Sequence, residues 1–186
     1  LACRACPTMP PERRRVPGIG VLSPLAMFVG EAPGRFGADR SGVPFVGDRS
    51  GGILAQMMDI IGLSVTVNVY VTNLVRCNPR DQMGRNRKPL STEISAYGRF
   101  LMCELELVKP QVVISLGELA TRFLLGRSIA ACRSRPQLLN GLTYYPLYHP
   151  SYVARNAYPL SQYVAEFRQL GALLGALPAS RGSPAP

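Results

Sequence analysis

The chain has 186 residues, 47% of them hydrophobic, enough to bury one sizeable core without a disulfide framework. It carries 21 basic against 11 acidic residues, a formal +10, and 19 of the 21 are Arg, whose planar guanidinium suits bidentate phosphate contacts, so a nucleic-acid partner is expected. No apolar run approaches the ~18 residues of a membrane span, and the start at Leu1 reads as truncated, lacking the charged and apolar regions of a signal peptide.

A GC-rich genome, whose codons favour Arg over Lys, is the alternative source of the Arg bias. Five cysteines, with Cys3 and Cys6 in CxxC spacing, do not resemble a secreted scaffold and fit a reducing compartment with a metal or cluster site. Residues 1–23 carry that CxxC, four prolines and Arg13, Arg14 and Arg15, which predicts an irregular arm. Leu25 to Val29 (LAMFV) predicts a strand buried on both faces of a parallel sheet.

Gly30 to Gly51 follows, a glycine-rich loop of a length usually reserved for function. It mixes Glu31, Asp39 and Asp48 with Phe36 and Phe45, a composition suited to cradling a flat ligand. Ser50 to Ile61 places Ile53, Leu54, Met57, Met58 and Ile61 on one helical stripe that Gly62 ends. Val69 to Val75 (VYVTNLV) predicts the second strand, with Asn73 and Arg76 at its C-terminal end. Asn78 to Lys88 holds four basic residues and no apolar stretch, so it reads as an exposed basic loop.

A helix is predicted from about Leu90 to Leu107, stopped by Lys109-Pro110. Gln111 to Leu116 predicts the third strand, Gly117 its tip, and Glu118 to Leu125 a short helix. Ser128 to Leu142 reads as irregular and basic. Thr143 to Tyr148 predicts the fourth strand, delivering His149-Pro150-Ser151; Leu160 to Leu174 predicts the last helix and 176–186 a disordered tail. Strand, loop and helix repeated four times predict one domain over residues 1–175: a three-layer α/β/α sandwich around a four-stranded, mostly parallel sheet. Ligands bind such sheets beyond the carboxyl ends of the strands, so the Gly30 loop, Asn73, Gly117 and His149 should converge at one edge.

GEAPG at Gly30 to Gly34, GVPFVG at Gly42 to Gly47, VTNLVRCNP at Val71 to Pro79, ISLGELA at Ile114 to Ala120 and YHPSYVARN at Tyr148 to Asn156 occur in this order. Together they resemble the motif series of the uracil-DNA glycosylase superfamily, closest to its iron–sulfur-containing, thermostable-type branch, from Cys3 to about Leu170. The resemblance implies hydrolysis of the bond between uracil and deoxyribose in single- or double-stranded DNA. It further implies a monomeric, cytoplasmic, bacterial nucleoid-associated repair enzyme with no membrane role.

By resemblance Phe45 stacks on the flipped base, Asn73 pairs with its N3–H and O4, and Ala32 and Gly34 line the base pocket. His149, the only histidine, would sit against uracil O2, where charge develops as the base departs. Ser151, Tyr152 and Arg155 would meet DNA, filling the vacated stack or contacting phosphate. Ordinary readings remain open beside these: a core Phe at 45, a turn-capping Asn at 73, a structural His at 149.

The water-activating group is Glu31, which matches the family position, or Asp48, with Asp39 third. An extra residue in RFGADRSG and an acid at position 48 are features of the neighbouring, broader-specificity branch, which makes hypoxanthine or xanthine an alternative substrate. A non-catalytic nucleic-acid binder of the same fold is the reading from another class. Four cysteines hold a [4Fe–4S] cluster in the family, and Cys3, Cys6 and Cys77 match three of them. The fourth position falls by count at Tyr97, six residues before Cys103, a helical rotation of about 240° and a rise of about 9 Å. Cys103 is therefore the fourth ligand only if the helix is reset by the preceding loop, with Cys132 as fallback.

Overall fold

The computed structural model describes residues 13–177. Cys3, Cys6 and all but two residues of the expected tail lie outside that range. The core is a six-stranded sheet in the order β1-β3-β2-β4-β6-β5: β1 (Ile19–Gly20), β2 (Ala26–Gly30), β3 (Val69–Asn73), β4 (Val112–Ser115), β5 (Gln137–Leu139) and β6 (Leu142–Tyr144). The four central strands are mutually parallel and match the four expected; β1 and β5 pair antiparallel at the two edges. The strand count is thus corrected from four to six within the same α/β class.

Alternation along β2 divides the core into two layers, since successive strand residues point to opposite faces. Ala26 and Phe28 pack with Leu54 and Met57 of α2 (Arg49–Ile60) and with Tyr163, Phe167 and Leu170 of α7 (Leu160–Gly175). Met27 and Val29 face Tyr97, Leu101 and Leu105 of α3 (Ser91–Val108) and Ala120 and Leu124 of α4 (Glu118–Leu125). Every residue of β2 is buried, as a strand covered on both faces requires. The helix expected from Leu90 is capped by Glu93, whose carboxylate accepts the Leu90 N–H at 2.8 Å. It ends at Lys109 in the left-handed region before Pro110.

Three short helices were not expected: α1 (Ala38–Ser41) inside the glycine-rich loop, α5 (Ile129–Cys132) and α6 (Pro150–Ala154). The segment from Ser128 to Leu142, expected to be irregular, is ordered by burial of Ile129 and Cys132, by the Ile129 N–H donating to Glu118 Oε2 at 2.9 Å, and by the β5–β6 hairpin. The hairpin turn is Asn140-Gly141, both with positive φ (50° and 77°), the conformation an Asn-Gly pair adopts at least cost. The fourth expected strand is shorter than Thr143 to Tyr148. Pro146 supplies no N–H, yet Tyr145 N–H still donates to Val113 O and Leu147 N–H to Ser115 O, which carries the chain on to His149.

Candidate active site

The C-terminal ends of the parallel strands form the floor of a cleft of about 470 Å³ lined by Glu31, Ala32, Gly34, Phe45, Asp48, Asn73, Gly117, His149, Ser151, Tyr152 and Arg155, among others. Every site residue expected from the sequence, other than the cysteines, is therefore on one wall or another of this cleft. Register explains the convergence. Gly30 pairs with Asn73 across β2 and β3, and the Gly117 N–H donates to Leu147 O at 2.8 Å, which sets the two strand tips side by side.

Asn73 is 2% exposed, and its Oδ1 makes no hydrogen bond with any described residue. A buried amide oxygen left without a donor is costly, and natural proteins retain one mainly where something else supplies the donor. Gly30 is needed beside it. A Cβ there would fall on Asn73 Oδ1 and on the Phe45 ring, well inside contact distance. Gly30→Ala should therefore leave a folded protein with Phe45 and Asn73 displaced and activity lowered at least about 10-fold, since misplacement by about 1 Å can cost about 10²-fold. A thermal melt together with a rate measurement checks it; unchanged rate would contradict the placement.

Phe45 sits at φ 56°, a left-handed conformation uncommon for an aromatic residue, at the turn where GVPFVG leads into α2. The close approach of Gly51 to the Phe45 carbonyl leaves no room for a Cβ and ties that turn to the helix start. Its ring centroid lies 5.6 Å from the His149 imidazole, tilted by 32°, so an aromatic face and an imidazole edge border the same space.

His149 precedes α6 as its N-cap, with Pro150 in the first turn where its missing N–H is harmless. The Ser151 N–H donates to His149 Nδ1 at 3.1 Å. An accepting Nδ1 carries no proton, so the neutral ring carries it on Nε2. Burial pushes the His149 pKa down from 6.5 to about 4; the Asp48 carboxylate opposes this and Arg155 adds to it. The imidazole is therefore neutral at physiological pH and donates through Nε2.

This has a consequence for stability. Unfolded chain takes up a proton here as pH falls through about 6.5, the folded chain only near 4, so stability is lost as pH drops across that window. His149→Gln removes this linkage. The fall in melting temperature between pH 7 and pH 5 should be smaller in the variant by a few degrees; equal falls would contradict a neutral buried imidazole.

The three carboxylates separate by environment. Asp48 caps α2, its Oδ1 accepting the Gly51 N–H at 2.9 Å, while Oδ2 faces Gly34 and Gly37. Burial raises the pKa of Glu31, offset in part by Lys88. Its carboxylate enters no hydrogen bond among the described residues. Asp39 is instead held by Arg80 in a largely buried ion pair, and Arg80 Nε also donates to Asn78 Oδ1.

The segment from Asn78 to Lys88, expected as an exposed basic loop, folds back as a wall of the cleft that includes Asn78, Asn86, Arg87 and Lys88. Asn78 Nδ2 donates to Pro33 O at 2.7 Å and to Asn86 Oδ1 at 2.9 Å, and Arg87 makes a two-pronged pair with Glu93, which is fully buried. Asp81 closes the turn by accepting the N–H groups of Met83 and Arg85. The sequence signal for this was the Asp81 to Gly84 turn pattern flanked by amides; the wall itself comes from tertiary contacts.

Opposite that wall, α6 presents Tyr152 (40% exposed) and Arg155, whose guanidinium lies 5.6 Å from the Tyr152 ring centroid. Tyr152 stacks on Tyr148 at 5.2 Å, and Tyr163 Oη fixes the Tyr148 carbonyl at 2.9 Å. The exposed pair is thus mounted on a buried aromatic support.

Of the five cysteines, Cys77, Cys103 and Cys132 are described. Cys77 is fully buried with its Sγ 2.9 Å from Tyr97 Oη. Cys103 is exposed farther along α3, and Cys132 is buried in α5, where its thiol donates to Ser128 O at 3.2 Å. No group of three or more metal-binding side chains occurs among the described residues. For an iron–sulfur centre the fit is partial: Cys77 is placed for it, Cys103 and Cys132 do not join it, and a phenol stands where a fourth thiolate was counted.

A strand-end cleft with a stacking aromatic, an unsatisfied buried amide and a neutral imidazole donor defines a site for a planar, hydrogen-bonding ligand. The family model for the uracil DNA glycosylase superfamily matches residues 17–170, and the chain belongs to that superfamily. It is 37% identical to a Type-4 uracil-DNA glycosylase of Thermotoga maritima over 158 residues, covering 83% of this chain and 79% of that protein. It is 31% identical over 185 residues to the Type-4 enzyme of Archaeoglobus fulgidus (94% and 89% covered) and 37% identical over 155 residues to a Type-5 enzyme of Pyrobaculum aerophilum (74% and 66%). Relatives of both types match, in line with the mixed branch features of the loop.

Proposed function

We infer that this chain is a DNA-repair glycosylase that excises uracil by hydrolysing its N-glycosidic bond. The observation that carries the reading is Asn73: a buried Oδ1 without a donor, at the floor of a cleft too narrow for a base pair but wide enough for one base. A flipped uracil supplies the N3–H that Oδ1 lacks, and its O4 accepts from the same amide. Phe45 covers one face of the ring. His149 donates from Nε2 to O2, where negative charge grows as the bond to C1′ breaks.

Glu31 is assigned to the water. Burial raises its basicity and its oxygens are uncommitted, whereas one oxygen of Asp48 is engaged in capping α2. Glu31 orients the water and takes its proton as the oxygen bonds to C1′; the base leaves as its anion. Asp48 remains near enough to His149 to act on the developing positive sugar. The DNA-facing part falls to Ser151, Tyr152 and Arg155, with Tyr152 or Arg155 entering the space the base leaves. DNA is the partner, in single- or double-stranded form, and the single domain of residues 1–175 acts as a cytoplasmic, nucleoid-associated monomer. No helix among the described residues is long and apolar enough to cross a membrane. The iron–sulfur centre implied by resemblance draws on Cys3, Cys6 and Cys77 and ties the arm to the end of β3, a structural role.

Asp48 on the cleft wall favours one further substrate class, because an added acceptor there suits a purine with more ring N–H donors. Release of uracil, hypoxanthine and xanthine from matched oligonucleotides separates the two. The account expects uracil to be released fastest; hypoxanthine released faster would move the substrate, and steeply salt-dependent binding with no base released would leave only a nucleic-acid binder.

A further inference from the structure

The turn after β3 delivers Cys77 into the core, fully buried, against the phenol of Tyr97, which is 2% exposed. Val16 N–H donates to Arg76 O at 2.8 Å and β1 runs antiparallel to β3, so the described arm enters beside Cys77, ten residues after Cys6 in sequence. Cys3 and Cys6 are outside the described residues, but the CxxC spacing and this entry point make Cys77 their natural third. The next cysteine, Cys103, is exposed on another face of α3. Cys132 belongs to the separate packing of α5, where its thiol bonds to Ser128.

We propose that the chain holds a three-iron, [3Fe–4S], cluster on Cys3, Cys6 and Cys77, with the Tyr97 hydroxyl at the corner of the missing iron, donating to the Cys77 sulfur. This rests on the reading that an iron–sulfur centre is present at all. Each iron of a four-iron cube takes one protein thiolate, and the corner without one is the corner that gives up its iron. A three-iron cluster needs three thiolates, the number this region can supply. The 2.9 Å separation of Tyr97 Oη and Cys77 Sγ is that of an O–H···S hydrogen bond, which leaves the sulfur available to iron. Hydrogen bonds to ligating sulfurs also tune the reduction potential, so Tyr97 acts as a positioning residue beside the cluster.

The test is anaerobic reconstitution of the purified chain with ferrous iron and sulfide, brief oxidation with ferricyanide, then iron content and electron paramagnetic resonance. The wild-type chain is expected to keep about three irons and give the signal of a paramagnetic oxidised cluster. Tyr97→Cys should keep about four and lose that signal, Tyr97→Phe should keep the signal at a lower reduction potential, and Cys103→Ser and Cys132→Ser should match wild type. A signal-silent four-iron wild type that loses iron in Cys103→Ser or Cys132→Ser would overturn the inference alone. A wild type that takes up no iron would overturn the iron–sulfur reading with it.

Discussion

Substituting His149 with Ala is expected to slow uracil release by about 10²–10³-fold, the usual cost of removing one donor aimed at developing negative charge. The expectation follows from the protonation state. A ring held neutral by burial, with Nδ1 engaged by the Ser151 N–H, has one proton, on Nε2, and can only donate into the cleft. That bond strengthens as the base becomes an anion, so the loss should appear in kcat more than in KM. Single-turnover release from a uracil-containing oligonucleotide measures it directly. A variant that lost affinity but kept its chemical rate would place His149 in binding.

Asn73→Ala is expected to cost about 10²-fold or more, and for a different reason. It removes the one side chain whose buried Oδ1 is unsatisfied among the described residues bordering this cleft. A site built to pair with a specific edge rejects ligands that cannot pair by large factors, since its own polar groups are otherwise stranded. The alanine variant should be no less stable than wild type in the absence of DNA, because the deleted group has no described partner to lose. A melt and a rate measured on the same preparation check both halves; large destabilisation would mean that Asn73 is structural.

The four parallel strands were legible because runs such as LAMFV and QVVIS are apolar at every position, the mark of a strand covered on both faces. The helices were legible from their stripes and from Gly62, Gly126 and Pro110 as stops. The β5–β6 hairpin was also written in the chain, as Asn140-Gly141 between apolar residues, but the surrounding arginines outweighed it. β1 carries almost no local signal: two residues beside Pro17 and Gly18 become a strand only because β3 is there to pair with. The same holds for the wall from Asn78 to Lys88, whose polar sequence reads as solvent-facing until Asn78 reaches Pro33 and Arg87 reaches Glu93.

At the site, Phe45, Asn73 and His149 were recoverable as motif positions, but their states were not. The unsatisfied amide and the depressed imidazole pKa exist only after strand ends and loop are brought together. The carboxylates were the harder case, because Glu31, Asp39 and Asp48 are chemically alike in sequence; burial, an arginine and a helix cap make them different.

The central claim is that this cleft holds one flipped uracil and releases it. Free uracil should be quantified after incubating the purified chain with uracil-containing single-stranded and U·G duplex oligonucleotides, beside Asn73→Ala and His149→Ala. The account predicts free uracil from the wild-type chain and at least about 10²-fold slower release from each variant. Intact oligonucleotide with the wild-type chain, where a control glycosylase is active, would contradict it.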